Sequence, residues 1–247
     1  MTRAFSWLLT LAVVIPLAAA EQRTYLTSTH GITVAPGQDA SALIRPAQRT
    51  LDTAGQAVVV TFLPGEHAHV HIAGRFVGDG PLYLTGTGAT VNGIAAVTDA
   101  VVDISQLRLV NPAGAGIAAV FGARVQVGAG VEFGPVSGEH IMASYNSIVN
   151  VVASYTVTGG GSSHLHAYGS GTIIVNHDVV TTFVGTPTFQ HYVIGVATSS
   201  VGWLGTFTGA VNGQSCVVHS TGSLFSYGRA LPGNGVCGPQ GPDSTVW

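Results

Sequence analysis

Histidines that stand just before apolar strands are the first candidates for chemistry in this sequence. His140, His164 and His191 each precede a run of apolar residues, and His166 follows His164 by two positions. If the chain coils with about two dozen residues per turn, neighbouring imidazoles would stand about 5 Å apart, because parallel strands have nearly that spacing. Neutral imidazoles at that distance can share a Zn²⁺ or Cu²⁺ ion, or one can act as a base. The alternative is a row of partly exposed, stacked rings without a ligand.

A second histidine group is the run His67-Ala-His-Val-His71, which follows Glu66. Side chains alternate along a strand, so His67, His69 and His71 are predicted to share one face. Two neighbouring imidazoles of this kind form a usable metal chelate. The pattern supplies no further ligand that can be identified from the sequence, so a divalent metal remains one interpretation and an ordinary exposed strand the other.

Acid chemistry has one candidate in the repeat region, where Asp99 and Asp103 form the only close pair of carboxylates. Glycoside hydrolysis uses two carboxyl groups that flank the scissile bond, so this pair is the predicted catalytic position if the chain is an enzyme. The alternative assigns both residues to turn formation and solvation. No nucleophile elbow and no phosphate loop is present in the sequence.

Amide side chains extend this surface. In the repeat alignment Asp103 falls opposite Gln126, which falls opposite Asn150. Stacked Tyr, His, Asn and Gln side chains on one face of a solenoid suit sugars through ring stacking and hydrogen bonds. The predicted ligand-binding face therefore contains six residues: His140, His164, His166, His191, Asn150 and Gln126.

One repeated unit must position all these groups. The segments that begin at Ile94, Ile117, Ile141 and Leu165 each run from a short apolar strand through a small polar turn into a second strand, at offsets of 23, 24 and 24 residues. Repeats of this length indicate stacked units that cannot bury an apolar face alone. The predicted fold is all-β, a single-stranded right-handed parallel β-helix. A third strand in each unit aligns Leu109, Phe133, Val157, Phe183 and Phe207 as an interior stack.

Both ends of the coil have their own signals. Residues 39–54 form the one helical pattern, with Asp39 as N-cap, Pro46 inside and Gly55 as the stop signal. This helix is predicted to cap the β-helix domain of residues 21–229. Residues 230–247, rich in Gly and Pro, are predicted to form a C-terminal cap or tail that does not continue the strands.

The order of amphipathic helix, Gly55, the strand Val-Val-Val-Thr-Phe-Leu and Pro64-Gly-Glu resembles the start of the pectin-lyase-like parallel β-helix proteins. The segments that begin at Gly138 and Leu231 are similar to small phage and prophage tail-type β-helix proteins. The first resemblance implies polysaccharide lyases that hold Ca²⁺ on carboxylates, or hydrolases with clustered acids. The second implies a structural, tail-fibre-like part. The predicted N-terminal signal peptide is a departure from the pattern of those phage proteins.

Residues 1–20 are predicted to be a secretory signal peptide, with Arg3 before the apolar run 5–17 and an Ala-Ala-Ala cleavage site. The mature chain would then be secreted, periplasmic or on the cell surface, without stable insertion in the membrane. In an oxidising compartment Cys216 and Cys237, 21 residues apart, are predicted to form a disulfide between neighbouring coils.

The charges exclude two classes of partner. The formal net charge is −3, and the eight basic residues, all Arg, are scattered along the sequence, so neither a nucleic-acid-binding stripe nor a polybasic membrane patch is formed. The predicted function is a secreted or surface protein that binds a polysaccharide or surface glycan, or builds a fibre, with a homotrimer as one assembly. The alternative is a polysaccharide lyase or glycoside hydrolase of the pectin-lyase-like fold. No cofactor is assigned.

Overall fold

The computed structural model of the chain describes residues 23–234, 237–240 and 245–246. These residues form parallel sheets that are stacked as a β-helix of about eight coils, with one α-helix. The predicted all-β parallel β-helix is confirmed. Within the described residues, no helix is both long and apolar enough to cross a membrane.

Each coil contributes strands to three faces, which we call the first, second and third face. The first face contains Val70–Ala73, Ile94–Val97, Ile117–Val120, Glu139–Ser144, Gly161–Tyr168, Thr188–Val196, Asn212–His219 and Gly238–Gln240. The second face contains His30–Val34, Val58–Phe62, Arg124–Val127, Ile148–Val151, Thr172–Val175, Ser200–Trp203, Ser223–Phe225 and Thr245–Val246. The third face contains Gly65–His67, Glu132–Val136, Tyr155–Val157, Val180–Phe183 and Thr206–Thr208. The long strands Leu82–Val91 and Val101–Asn111 bend from the second face onto the third.

The register agrees with the repeat offsets. Ile94, Ile117, Ile141 and Leu165 lie opposite one another in consecutive coils, with all four side chains buried. On the second face Asp103, Gln126 and Asn150 are aligned as predicted. Because strands in register expose alternate side chains, each of these rows lies wholly inside or wholly outside the coil.

The interior stack of the third face differs from its prediction at one position. Leu109, Phe133, Val157 and Phe183 lie in register, but Phe207 pairs with Thr181 and not with Phe183. The longer corner before this coil shifts the strand by two residues. A shift of two keeps Phe207 on the same face, so its ring still contacts Phe183, at a centroid distance of 6.2 Å.

The corner between the first and second faces is built from two left-handed residues per coil. Phe121 and Gly122 occupy it in one coil, with φ of 56° and 79°, and Tyr145 and Asn146 occupy it in the next, with φ of 50° and 62°. Gly and Asn accept this conformation more readily than other residues. The chain nevertheless places aromatic residues at the first position, where their side chains leave the coil: Phe121 is 58% exposed and Tyr145 is 46% exposed.

The capping helix is shorter than predicted and spans Ala40–Thr50. Asp39 is its N-cap, and its side chain accepts a hydrogen bond from the Ala42 N–H at 3.2 Å. The predicted last turn is instead the strand Leu51–Asp52, which pairs with Thr24–Tyr25. The extended conformation buries the Leu51 side chain, which explains why the helix ends before Gly55.

The C-terminal segment continues the sheets, contrary to its prediction. Gly238–Gln240 pairs with the strand at Val217–His219 on the first face, and Thr245–Val246 pairs with Ser223–Leu224 on the second. The predicted disulfide between Cys216 and Cys237 is present, with a Cα–Cα distance of 5.1 Å. Directly after the two cysteines, Gly238 lies opposite Val217, so the disulfide stands at the start of this strand pair. The predicted signal peptide, residues 1–20, lies outside the described residues.

Reduction of this disulfide is expected to release the last coil. A bridge across 21 residues stabilises the folded chain by about 3 kcal/mol in the chain-entropy description. We therefore expect the double variant Cys216→Ser/Cys237→Ser to unfold at a lower temperature in circular dichroism and to be cut by protease after His219. Identical melting and digestion of oxidised and reduced protein would contradict this expectation.

Candidate functional site

Two of the histidines predicted on the ligand face lie inside the coil. His140 and His164 have no exposed surface, and their rings stand edge to face with a centroid distance of 5.0 Å. Both contact Phe133 in the interior stack, at 5.2 and 5.8 Å. The prediction that these two side chains bind an external ligand is therefore wrong. The alternation of buried and exposed residues breaks as the chain turns onto the first face, where Ser163, His164 and Leu165 are all buried.

One assignment of the tautomers of His140 and His164 is consistent with all their hydrogen bonds. His140 Nε2 lies 2.9 Å from the Gly134 carbonyl oxygen, so this nitrogen is the donor. Its Nδ1 then accepts from His164 Nδ1 at 2.8 Å, and His164 Nε2 accepts from the Tyr155 hydroxyl at 2.7 Å. Each neutral imidazole donates once and accepts once. The pair satisfies its hydrogen bonds without charge or solvent.

Burial controls the titration of this network. Loss of solvation lowers the pKa of His140 to about 3, although the Gly134 carbonyl acts in the opposite direction. Loss of solvation also lowers the pKa of His164, and the neighbouring His140 lowers it further. Burial raises the pKa of Tyr155 to about 12. All three groups are neutral at pH 7, as a buried structural network requires.

The other two predicted histidines point outward, but on separate rows. His191 lies opposite Ser163 and Gln214 and is half-buried, while His164 is followed in the next coil by the buried Tyr192, with ring centroids 4.9 Å apart. His166 is half-buried on the outer row of the first face. The predicted ladder of His140, His164 and His191 is therefore corrected to an interior column of His140, His164 and Tyr192.

His166 has an acidic partner from the preceding coil. Its Nδ1 lies 3.1 Å from Glu139 Oε1. The hydrogen bond from His166 lowers the pKa of Glu139, and the partial burial of the carboxylate acts against this shift. This pair stands at the edge of the first face, where the next ring along the strand is Tyr168, at 5.4 Å from His166.

The second histidine group does not share one strand face as predicted. His67 ends a strand on the third face and is buried, with its Nε2 2.8 Å from the Leu63 carbonyl oxygen. The chain then turns a corner, and His69 and His71 are exposed beyond it. Because the three residues do not belong to one strand, the alternation used to align them does not apply. In the described part of the chain, no group of three His, Cys, Asp or Glu side chains is placed to hold a metal ion.

The two candidate catalytic carboxylates belong to different parts of the coil. Asp99 lies in the corner between the first and second faces, with φ of 62°, whereas Asp103 lies on the second face between Tyr83 and Gln126. Burial raises the pKa of Asp103. In the register of the described strands, the residues opposite Asp103 are Tyr83 and Gln126, neither of which is a carboxylate.

Exposed aromatic rings gather at the corner that carries Asp99. The rings of Phe121 and Tyr145 are nearly parallel, at 13°, with centroids 5.0 Å apart, which is an offset stack. Tyr168 packs edge to face on Tyr145 at 5.5 Å. In the coil beyond Tyr145 the corner residue is Gly169, where a Cβ would lie only 3.3 Å from the Tyr145 ring. We call Phe121, Tyr145 and Tyr168 the aromatic corner.

The aromatic corner ends in a step at Phe121. Tyr145 covers one face of this ring, and the coil on the other side has the smaller Thr98 at the same position. Within the described residues, no aromatic ring covers that second face of Phe121. The Phe121 ring, which is 58% exposed, therefore stacks on an aromatic ring on one side and is followed by the polar turn of Thr98 and Asp99 on the other.

Polar groups surround the step. The Asp99 carboxylate extends over Gly122, where a Cβ would overlap its Oδ1. The Arg75 Nε donates to the Asp99 carbonyl oxygen at 2.9 Å, which brings a guanidinium to the same turn. A ring face beside a carboxylate and a cation can hold a ligand that is apolar on one side and carries hydroxyl groups at its rim.

Sequence reasoning counted Phe121 and Tyr145 only as turn residues. The signal that could have identified them is their type, because aromatic residues are unfavourable in a left-handed corner. Two of them at aligned corner positions indicate that the side chains serve another purpose. Comparison of this chain with protein-family models, with curated proteins and with solved structures found no match.

Proposed function

We propose that this chain is a glycan-binding β-helix protein that acts outside the cytoplasm and holds a sugar at the step beside Phe121. The observation that carries the proposal is the exposed Phe121 ring, which stacks on Tyr145 and lies one coil from the turn that contains Asp99 and that Arg75 contacts. Large exposed apolar groups with a polar rim mark binding sites on soluble proteins. The predicted signal peptide and the disulfide support the extracellular location.

A pyranose fits this combination of groups. Its C–H face packs on an aromatic ring by dispersion and by attraction to the negative ring face. Its hydroxyl groups donate to a carboxylate such as that of Asp99, and a charged acceptor strengthens these hydrogen bonds. Asp99 was predicted as a catalytic residue, and we assign it here to binding.

The second face offers further contacts beside the step. Tyr83, Asp103, Gln126 and Asn150 follow one another on its outer row, one per coil. Coils are separated by about 4.8 Å, so hydrogen-bonding groups recur at short, regular intervals along the axis. A surface with this repeat suits a linear polysaccharide better than a single compact ligand.

Phe121→Ala is expected to weaken glycan binding by at least tenfold, which corresponds to about 1.4 kcal/mol. The substitution removes the ring face without touching the core, so the melting temperature should stay within about 4 °C of the parent. Binding is measured against a panel of immobilised polysaccharides, followed by titration with the best one. The matched control is Tyr25→Ala, which removes an exposed ring of the N-terminal strand Thr24–Tyr25.

Equal binding by Phe121→Ala and the parent would contradict the assignment of the step. Equal losses in Phe121→Ala and Tyr25→Ala would show that binding is not local to the corner. Release of unsaturated products from the same panel, followed by absorbance, would instead support the lyase that the sequence left as the alternative.

A further inference from the structure

A basic pocket lies where the capping helix meets the first face. Arg45, Gln48 and Arg49 line it from the helix, and His71, Ala73 and Arg75 line it from the strand and the corner. Its volume is about 500 Å³. We call these residues the arginine pocket. The fold therefore gathers three of the eight arginines, which are scattered in the sequence, in a protein whose net charge is −3.

The positive charge of the pocket is poorly compensated. In the described part of the chain, Arg45 and Arg49 form no ion pair, and Arg75 has only a 3.7 Å contact with Asp79, whose side chain is 83% exposed. Like charges four residues apart on a helix, such as Arg45 and Arg49, destabilise it. Arg49 also lies in the last turn of the helix, where a cation is favourable, and an anion in the pocket would relieve the repulsion between the two arginines.

The walls of the pocket are held together by hydrogen bonds. The Gln48 side chain donates to the Gly74 carbonyl oxygen at 3.1 Å, and the His71 N–H donates to Ser41 Oγ at 2.9 Å. The Arg75 Nε donates to the Asp99 carbonyl oxygen at 2.9 Å. These contacts fix the helix against the strand, so the backbone segments that carry Arg45, Arg49 and Arg75 are already placed when a ligand binds.

We propose that the arginine pocket binds a tetrahedral oxyanion, a sulfate or phosphate group. Guanidinium groups form paired hydrogen bonds to such oxygens, and three of them converge here from two elements of the fold. The three guanidinium groups of the pocket outnumber the nearby carboxylates of Asp79 and Asp99, which favours an anion. His71 adds a ring donor or acceptor at the wall.

The pocket and the aromatic corner lie on the same edge of the coil. Ala73 is in register with Val97, which is in register with Val120, so the corner residues that follow these strands are also stacked. Arg75 thus lies two coils from Phe121. If the proposed glycan function holds, on which this step rests, the ligand class is a sulfated or phosphorylated glycan that lies along this edge.

The anion site is tested first without any glycan. Sodium sulfate and sodium phosphate are titrated into the full chain at constant ionic strength, with sodium chloride as the reference, by calorimetry and by thermal shift. We expect saturable binding of one of the two anions, and at least fivefold weaker binding in Arg45→Gln and in Arg49→Gln. The control is Arg124→Gln, which changes an exposed arginine of the second face. Its dissociation constant for the anion should stay within twofold of that of the parent.

Binding that does not saturate, that chloride reproduces, or that Arg124→Gln weakens as much as Arg45→Gln would overturn the oxyanion site. Sulfated, phosphorylated and neutral forms of one oligosaccharide then separate the two proposals. Inorganic anion binding without any glycan binding keeps the pocket and rejects the proposed function. Neutral glycan binding that Phe121→Ala weakens, with no anion binding, keeps the function and rejects the pocket.

Discussion

Acidification from about pH 6.5 to about pH 4.5 is expected to lower the free energy of unfolding by about 5 kcal/mol. The cause is the buried pair of His140 and His164, whose pKa values burial lowers, to about 3 for His140. In the unfolded chain both imidazoles have a pKa of about 6.5. Below that pH the two imidazoles are protonated in the unfolded chain but stay neutral in the folded chain, so folding becomes less favourable.

The direction and the window follow from these two pKa values. The stabilisation is complete above about pH 6.5, the unfolded value, and it is lost as the pH falls toward the folded values. Two histidines give a slope of about 2.7 kcal/mol per pH unit. A domain with 5–15 kcal/mol of stability would lose a large fraction of it over this range.

Two carboxylates also affect how the free energy of unfolding depends on pH. The pKa of Glu139 is lowered by the His166 hydrogen bond, so its contribution is lost only below the ordinary glutamate value of 4.5. The pKa of Asp103 is raised by burial, so its protonation favours the folded chain as the pH falls and acts against the histidines. Both contributions are present in the parent and in the histidine variants alike, so they cancel when the slopes of these proteins are compared.

Urea unfolding at half-unit steps of pH tests this expectation through the slope rather than the absolute stability. His164→Gln should halve the slope because one titrating group remains, and His140→Gln/His164→Gln should remove most of it. His177→Gln is the matched control, since the His177 side chain is 71% exposed. A parent slope that survives in the double variant would contradict the assignment.

Phe133→Ala is expected to destabilise the fold by about 3–5 kcal/mol. The Phe133 ring is fully buried and contacts the rings of His140, Tyr155 and His164 at 5.2, 5.6 and 5.8 Å. Its removal leaves a cavity beside the hydrogen-bonded network, because neighbouring coils hold the backbone in register and the site cannot collapse.

Phe121→Ala provides the comparison within the same coil. The Phe121 ring lies outside at the aromatic corner, so its loss should change the free energy of unfolding by no more than about 0.5 kcal/mol. Urea unfolding at pH 7 measures both variants. Similar losses in the two would show that Phe121 contributes to the core, and a small loss in Phe133→Ala would contradict the interior stack.

The repeat spacing was sufficient to predict the coil and its register. Ile94, Ile117, Ile141 and Leu165 could be aligned from their spacing because each coil of a solenoid contacts only its neighbours. A constant offset in the sequence then becomes a constant offset in space. The same reasoning predicted the Cys216–Cys237 disulfide, since the two residues lie nearly one coil apart.

The repeat spacing did not predict whether the side chains near the corners point into the coil or out of it. Alternation assigns inside and outside within a strand, but it fails where the chain turns, and His140 and His164 lie next to such a turn. The end of the helix also depends on a distant segment, because Leu51–Asp52 pairs with the strand Thr24–Tyr25. Helix propensity is a local property and does not contain this pairing.

Both proposed sites also depend on contacts between segments far apart in the sequence. The aromatic stack ends at Phe121 because the corner residue one coil away is Thr98, whereas on the other side it is Tyr145. The arginine pocket exists because the capping helix docks on the first face and brings Arg45 and Arg49 to Arg75. Helix docking is a long-range packing event, and the repeat spacing, which is local to the coils, carries no information about it.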